Sequence, residues 1–318
     1  MKKPRRILVA IADLHHANTS LLRRAAALAR PSGASLELFH AVNTPLTQTR
    51  RLAGRRVEVQ LSIEHSVAAA QERLERLAHS RLLSRCKVHA TASWATPAHE
   101  AIVRRAAQTG ADLIISGTRT RGLANRLVLR HTDWELVRHT PVPLLLVKSQ
   151  RPRRKSVVLA AIDPLHANEK PARLDEQILD AAQGMAKLLR GTVHALHAYM
   201  PLSITMAAGI GEPIVWNTAE LDQEYSKQVR RQFSRILTAH RISPRRRHLQ
   251  IGAPAHELAS CSARIGATLV VMGAVSRSRL ERLMIGSTAE RALDELACDV
   301  LIVRPRNARR ASPAPRKR

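Results

Sequence analysis

The 318 residues carry 52 Lys and Arg against 25 Asp and Glu, a formal charge of +27, with 45% hydrophobic residues and three cysteines. That apolar content excludes a disordered chain, and no apolar run reaches the ~18–20 residues of a membrane span. Cys86, Cys261 and Cys298 are scattered, odd in number and without a C-x-x-C pair, which excludes a disulfide framework or zinc knuckle and points to a reducing, cytoplasmic setting.

Along the chain, short apolar runs alternate with longer segments of helical period. Strands are predicted at 7–12, 35–42, 87–93, 112–117 and 143–148, with helices between them such as Ser20 to Arg30 and Ile63 to Leu83. The same series then returns. Ile7–Asp13 matches Val157–Asp163, Pro97-Ala98-His99-Glu100 matches Pro254-Ala255-His256-Glu257, and Gly110–Gly117 matches Gly266–Gly273. Leu144–Lys148 matches Val300–Arg304. Matches in one order mean two homologous domains. The domains are assigned to 1–149 and 156–305, with a basic linker at 150–155 and a basic tail at 306–318 that holds no acid. Strands of the second copy are predicted at 157–162, 192–198, 247–251, 268–273 and 299–304, and residues 200–217 read as a loop or lid.

Alternation of apolar strands with helices implies an α/β fold: in each copy, a parallel sheet covered on both faces. Such sheets bind ligands beyond the carboxyl ends of the strands, at the point where strand order reverses. Asp13 with Gly117, and Asp163 with Gly273, end the first and fourth strands of the two copies.

After the fourth strand of the second copy the chain reads Gly273-Ala-Val-Ser276, nine residues, then Gly286-Ser287-Thr288. The first copy reads Gly117-Thr-Arg-Thr120, nine residues, then Arg130-His131-Thr132. Over nearly its whole length the chain resembles the tandem two-domain type of the universal stress protein family, whose signature is Gly-x2-Gly-x9-Gly-Ser/Thr. The resemblance implies two Rossmann-like domains of the adenine nucleotide alpha hydrolase-like type, each an open five-stranded parallel sheet of order 3-2-1-4-5. It also implies that the two copies pack as an intramolecular pseudo-dimer, with a homodimer as a further form. The implied ligand is ATP or a related nucleotide. In the second domain it would meet Ile162, Asp163, Ala198, Met272, Gly273, Ser276, Gly286, Ser287 and Thr288; in the first, Asp13 and Gly117 hold the matching places.

Glycine at 273 lets backbone approach a ligand, and the turn at 286–288 opens a helix whose free N–H groups suit a phosphate. Against this, Ser276 carries a side chain where the signature has none, and Arg130 stands in place of the cradling glycine of the first copy. Ser287-x-x-Glu290 and Thr132-x-x-Glu135 also read as capping boxes, which would engage the same N–H groups internally.

The 15 histidines form no H-E-x-x-H and no cluster at ligand spacing, so no metal is expected. No nucleophile elbow or phosphate-loop lysine motif marks a catalytic site, and none is assigned. Three functional readings stay open. The first is a stress-response protein that binds a nucleotide or other small ligand in domain 2 and supports survival of stress and DNA damage. The second is an interaction protein whose basic surface meets an acidic partner, nucleic acid or lipid. The third is a slow ATPase.

Overall fold

The computed structural model describes residues 3–14, 18–43, 56–120, 127–128, 131–148, 155–165, 173–207, 218–273 and 287–305. The linker at 151–154, the tail at 306–318 and His15, His16 and His166 lie outside them. The chain divides into two compact units.

The first unit runs β1 (Arg6–Ala10), α1 (Thr19–Ser32), β2 (Ser35–Val42), α2 (Arg56–Ala78), β3 (Lys87–Trp94), α3 (Ala98–Thr109), β4 (Leu113–Gly117), α4 (His131–His139) and β5 (Leu144–Val147). Its strands pair in parallel in the order β3-β2-β1-β4-β5. Ile7 to Ala10 and Leu144 to Val147 are all buried. Side chains alternate across a sheet, so burial of every residue means both faces are covered. The edge strand β3 is half-exposed, as its place predicts. α1 presents Leu21, Leu22, Ala25, Ala26, Leu28 and Ala29 inward, a stripe of helical period. It ends where Gly33 takes the left-handed conformation at φ 67°.

The second unit repeats the plan with β6 (Val157–Ala161), α5 (Leu174–Leu188), β7 (Thr192–Tyr199), α6 (Leu202–Ala207), α7 (Thr218–Ala239), β8 (Arg247–Ile251), α8 (Pro254–Arg264), β9 (Leu269–Gly273), α9 (Ser287–Glu295) and β10 (Asp299–Val303). Its parallel order is β8-β7-β6-β9-β10. In chain order within each unit this is 3-2-1-4-5, as the resemblance implied.

Strand ends differ from expectation by a residue or two. β1 closes at Ala10, although Ile11 still donates its N–H to the Phe39 carbonyl at 2.8 Å. Two expectations need correction. The segment 200–217 is not wholly loop: Leu202–Ala207 is helical, tied down where the Ser203 N–H donates to Asp222 Oδ1 at 3.0 Å. Residues 208–217 lie outside the described residues. Thr132 does not precede its helix as a cap, because α4 already begins at His131. Glu135 does not reach back either; its carboxylate accepts from Arg138 Nη1 at 2.8 Å and lies 3.1 Å from His139 Nε2. Ser287 likewise stands inside α9.

On β7 and β8, His194 Nδ1 and His248 Nε2 are 3.0 Å apart with rings stacked at 5.3 Å. One ring must donate and the other accept, so the contact requires a neutral acceptor. Burial lowers both pKa values; for His194 the charge of His248 adds to this, and for His248 that of Arg264. A folded pKa below the unfolded one means the unfolded chain binds protons first. The contribution of this pair to the unit's stability is therefore full above about pH 6.5 and falls as pH drops below it. Denaturant melts at pH 7.5 and 5.5 should show a lower midpoint at 5.5, with the difference smaller in His248→Gln.

Candidate functional site

Both units end their first strand in the same way. In the first, His40 on β2 donates from Nδ1 to the Ile11 carbonyl at 2.7 Å. In the second, His197 on β7 donates from Nδ1 to the Ile162 carbonyl at 3.0 Å. A carbonyl only accepts, so the proton sits on Nδ1 in both rings. These bonds fix the chain two residues before Asp13 and one before Asp163, at the carboxyl edge beside the switch from the first strand to the fourth. They also make Val42 and Tyr199, each two residues further on, equivalent positions.

The equivalence exposes a difference. In the first unit a cavity of about 350 Å³ opens beside Asp13, lined also by His40, Val42, Ser66, Ala70 and Arg73. In the second unit the strand position holds Tyr199, whose ring meets Tyr225 of α7 edge-on at 5.8 Å. The Tyr199 hydroxyl hydrogen-bonds Ser226 Oγ at 2.9 Å. Burial, then the charge of Asp163, then Tyr199, raises the Tyr225 hydroxyl above its ordinary pKa. Asp163 therefore has an aromatic neighbour where Asp13 has open space.

The fourth strands differ too. Ser116 of β4 donates from Oγ to Asp133 Oδ1 at 3.2 Å, both buried. Asp133 lies in the first turn of α4. A carboxylate there already meets the positive helix end and repels an arriving phosphate. In the repeat alignment that sets Arg130 against Gly286, Asp133 falls against Ala289, which carries no charge.

Of the other predicted residues, Ile162 and Met272 are buried and Ala198 is half-buried on β7. Asp163 donates its N–H to Asp175 Oδ1 at 3.1 Å. A methyl on Gly273 would come within 2.8 Å of Leu174 Cδ2, so this glycine already serves the packing of α5 on the sheet. At Gly117 the same methyl would meet Leu21 at an ordinary 3.5 Å. Ser287 and Thr288 open α9, while Ser276 and Gly286 lie outside the described residues. The fold thus brings Asp163, Ile162 and Gly273 to one sheet edge. Sequence reasoning missed Tyr199, Tyr225 and Asp133; the pairing of His40 with His197 across the repeat was the signal that locates the first two.

Two Rossmann-like α/β domains in tandem, each with an acidic residue after its first strand and a glycine closing its fourth, define a class of duplicated α/β proteins. The universal stress protein family model matches residues 3–148 and again 157–304, and the chain belongs to that family. It is 27% identical to universal stress protein E of Escherichia coli (strain K12) over 219 residues, which are 67% of this chain and 66% of that protein. The universal stress protein E homolog of Haemophilus influenzae is 26% identical over 216 residues, 67% of this chain and 68% of that one. A Pseudomonas aeruginosa PAO1 protein of unknown function has the same fold, with a TM-score of 0.73 at 24% identity, covering 96% of this chain and 95% of its own. So does a universal stress protein of Archaeoglobus fulgidus, with a TM-score of 0.64 at 16% identity, covering 94% and 98%.

Proposed function

We infer that the protein is a stress-response ligand binder whose second domain takes an adenine nucleotide or related phosphate ester. The observation that carries this reading is the contrast at the helix following the fourth strand. The first domain places the buried carboxylate of Asp133 in that first turn, whereas the second has Ala289 in the same place and its acid, Glu290, one residue further on and only half-buried. Helix N–H groups and two hydroxyl residues suit a phosphate, and the acid of this turn, Glu290, is only half-buried. Asp163 accepts from a ribose or an adenine amine, Tyr225 supplies an aromatic wall beside it, and Met272 and Ala198 add apolar contact. Binding is the proposed role. Occupancy would alter the segment at 200–217, and through it the contacts that support survival of stress.

Equilibrium dialysis of the full chain with labelled ATP tests this. We expect one equivalent bound, and at least tenfold weaker binding in Gly286→Arg, which puts bulk where the phosphate needs backbone. Binding that is undiminished in Gly286→Arg, or absent at millimolar ATP, removes the reading.

A further inference from the structure

Away from the predicted ligand residues, the first domain assembles a cluster that no sequence motif announces. His99 stands in the first turn of α3, and Glu135 and His139 stand one helical turn apart on α4. Their ligand atoms all lie within 4.8 Å of one another. Glu135 Oε2 is 3.1 Å from His139 Nε2 and 3.9 Å from His99 Nε2. The two imidazoles stack at 5.7 Å, inclined by 24°. His99 and Glu135 are largely buried, with side chains 13% and 14% exposed, and His139 is 40% exposed. We propose that His99, Glu135 and His139 form a binding site for a divalent transition metal ion of the zinc class, open to solvent on the His139 side.

The donor set fits that ion. Two imidazole nitrogens and one carboxylate oxygen suit Zn²⁺, which leaves a fourth position for water. Ligands at about 2.0–2.1 Å in a tetrahedron stand roughly 3.3 Å apart. The separations of 3.1 and 3.9 Å are therefore within a small side-chain adjustment of that arrangement. The carboxylate is also oriented for it. Oε1 accepts from Arg138 Nη1 at 2.8 Å, which turns Oε2 toward both rings. Outer partners of this kind hold a ligating carboxylate in place.

A plain ion pair accounts for less. An i,i+4 contact explains His139 with Glu135, but 3.9 Å is too long for a hydrogen bond from His99. A charged His99 would also sit at the positive end of α3. Burial lowers the His99 pKa most, against the pull of Glu135, which favours the neutral ring. Burial acts to raise the Glu135 carboxyl, but the Arg138 hydrogen bond and the charges of His139, Arg138 and His99 outweigh it and hold it low.

The repeat provides an internal control. In aligned places the second domain keeps His256, but Arg291 replaces Glu135, Asp294 replaces Arg138 and Glu295 replaces His139. His256 is exposed.

The test uses the full chain without a histidine tag, freed of metal by dialysis against a chelator and titrated with Zn²⁺ by calorimetry. The expected result is one Zn²⁺ per chain, bound at least tenfold more weakly by His139→Ala and by His99→Ala and equally well by His256→Ala. Co²⁺ in place of Zn²⁺ should give the visible absorption of a four- or five-coordinate ion, lost in the first two variants. Circular dichroism matching the parent chain separates loss of a ligand from loss of the fold, and His99→Asn serves as second variant on β3–α3. No uptake at 100 μM Zn²⁺ (about a tenth of millimolar, far above the affinity of built zinc sites) overturns the proposal. So does a change of less than tenfold in both ligand variants.

Discussion

Phe233→Ala is expected to destabilise the second domain by about 3–5 kcal/mol, read as a loss of midpoint in urea unfolding or as a lowered calorimetric transition. Val229, Phe233 and Leu237 form the buried stripe of α7, at 0%, 3% and 0% exposure. They recur every four residues and so lie on one helix face. The Phe233 ring lies against His197, with centroids 6.2 Å apart and planes inclined by 36°. Truncation leaves a cavity beside a polar ring that must hold its bond to the Ile162 carbonyl. The cost thus includes lost transfer energy, an unfilled void and a loosened histidine. Because His197 fixes the chain before Asp163, ATP binding should weaken in the same variant. A loss below about 1 kcal/mol would show that α7 repacks freely and that the ring does not brace the edge.

Gly191→Ala is expected to cost about 2–3 kcal/mol, through overpacking rather than loss of contact. An added methyl would lie 2.2 Å from the Ser156 carbonyl oxygen, a backbone atom that no rotamer can move. Relief requires parting β7 from β6 where the Thr192 N–H donates to that same oxygen at 2.9 Å. The first domain solves the turn the other way round. There Ser35 donates to the Arg5 carbonyl at 2.9 Å, so Ala34 occupies the place of Gly191 and is tolerated. Gly33, at φ 67°, takes the left-handed position that Arg190 takes at φ 51° in the second domain. Only one of the two turns therefore needs a glycine for space, and chemical unfolding of Gly191→Ala beside the parent chain reads the difference. A midpoint unchanged by the methyl would mean that the two turns relax alike.

The fold was legible because its signals are local and doubled. Ile7–Ala10, Leu144–Val147 and their partners are short runs buried on both faces, and the repeat checks each against a second copy. Boundaries slipped where hydrogen bonding outlasts regular geometry, as at Ile11. The helix at Leu202–Ala207 escaped because six residues carry too little period to read, and a partner 19 residues on, Asp222, holds it. The capping reading of Thr132 failed because Arg138 and His139, one turn on along the same helix, and His99 of α3 engage Glu135 away from its own helix start.

The site was half legible. Asp163 and Gly273 reach the predicted edge because strand ends and glycines are marked in sequence. The aromatic pair Tyr199 and Tyr225, the buried Asp133 and the His99–Glu135–His139 cluster depend on elements far apart in the chain. Spacing rules see only the i,i+4 step from Glu135 to His139, which on one helix face is more often an ion pair. The +27 charge resides partly in the linker and tail, outside the described residues, and assigns no partner by itself.

The central claim is that the two copies have divided their properties: a roomy edge without a phosphate seat in the first, a seat beside an aromatic wall in the second. A crystal of the full chain soaked with a slowly hydrolysed ATP analogue measures this directly. Density for the phosphates is expected at the start of α9, with the ribose by Asp163. Phosphates seated at α4 beside Asp133, or a nucleotide held solely in the space next to Asp13, would contradict it.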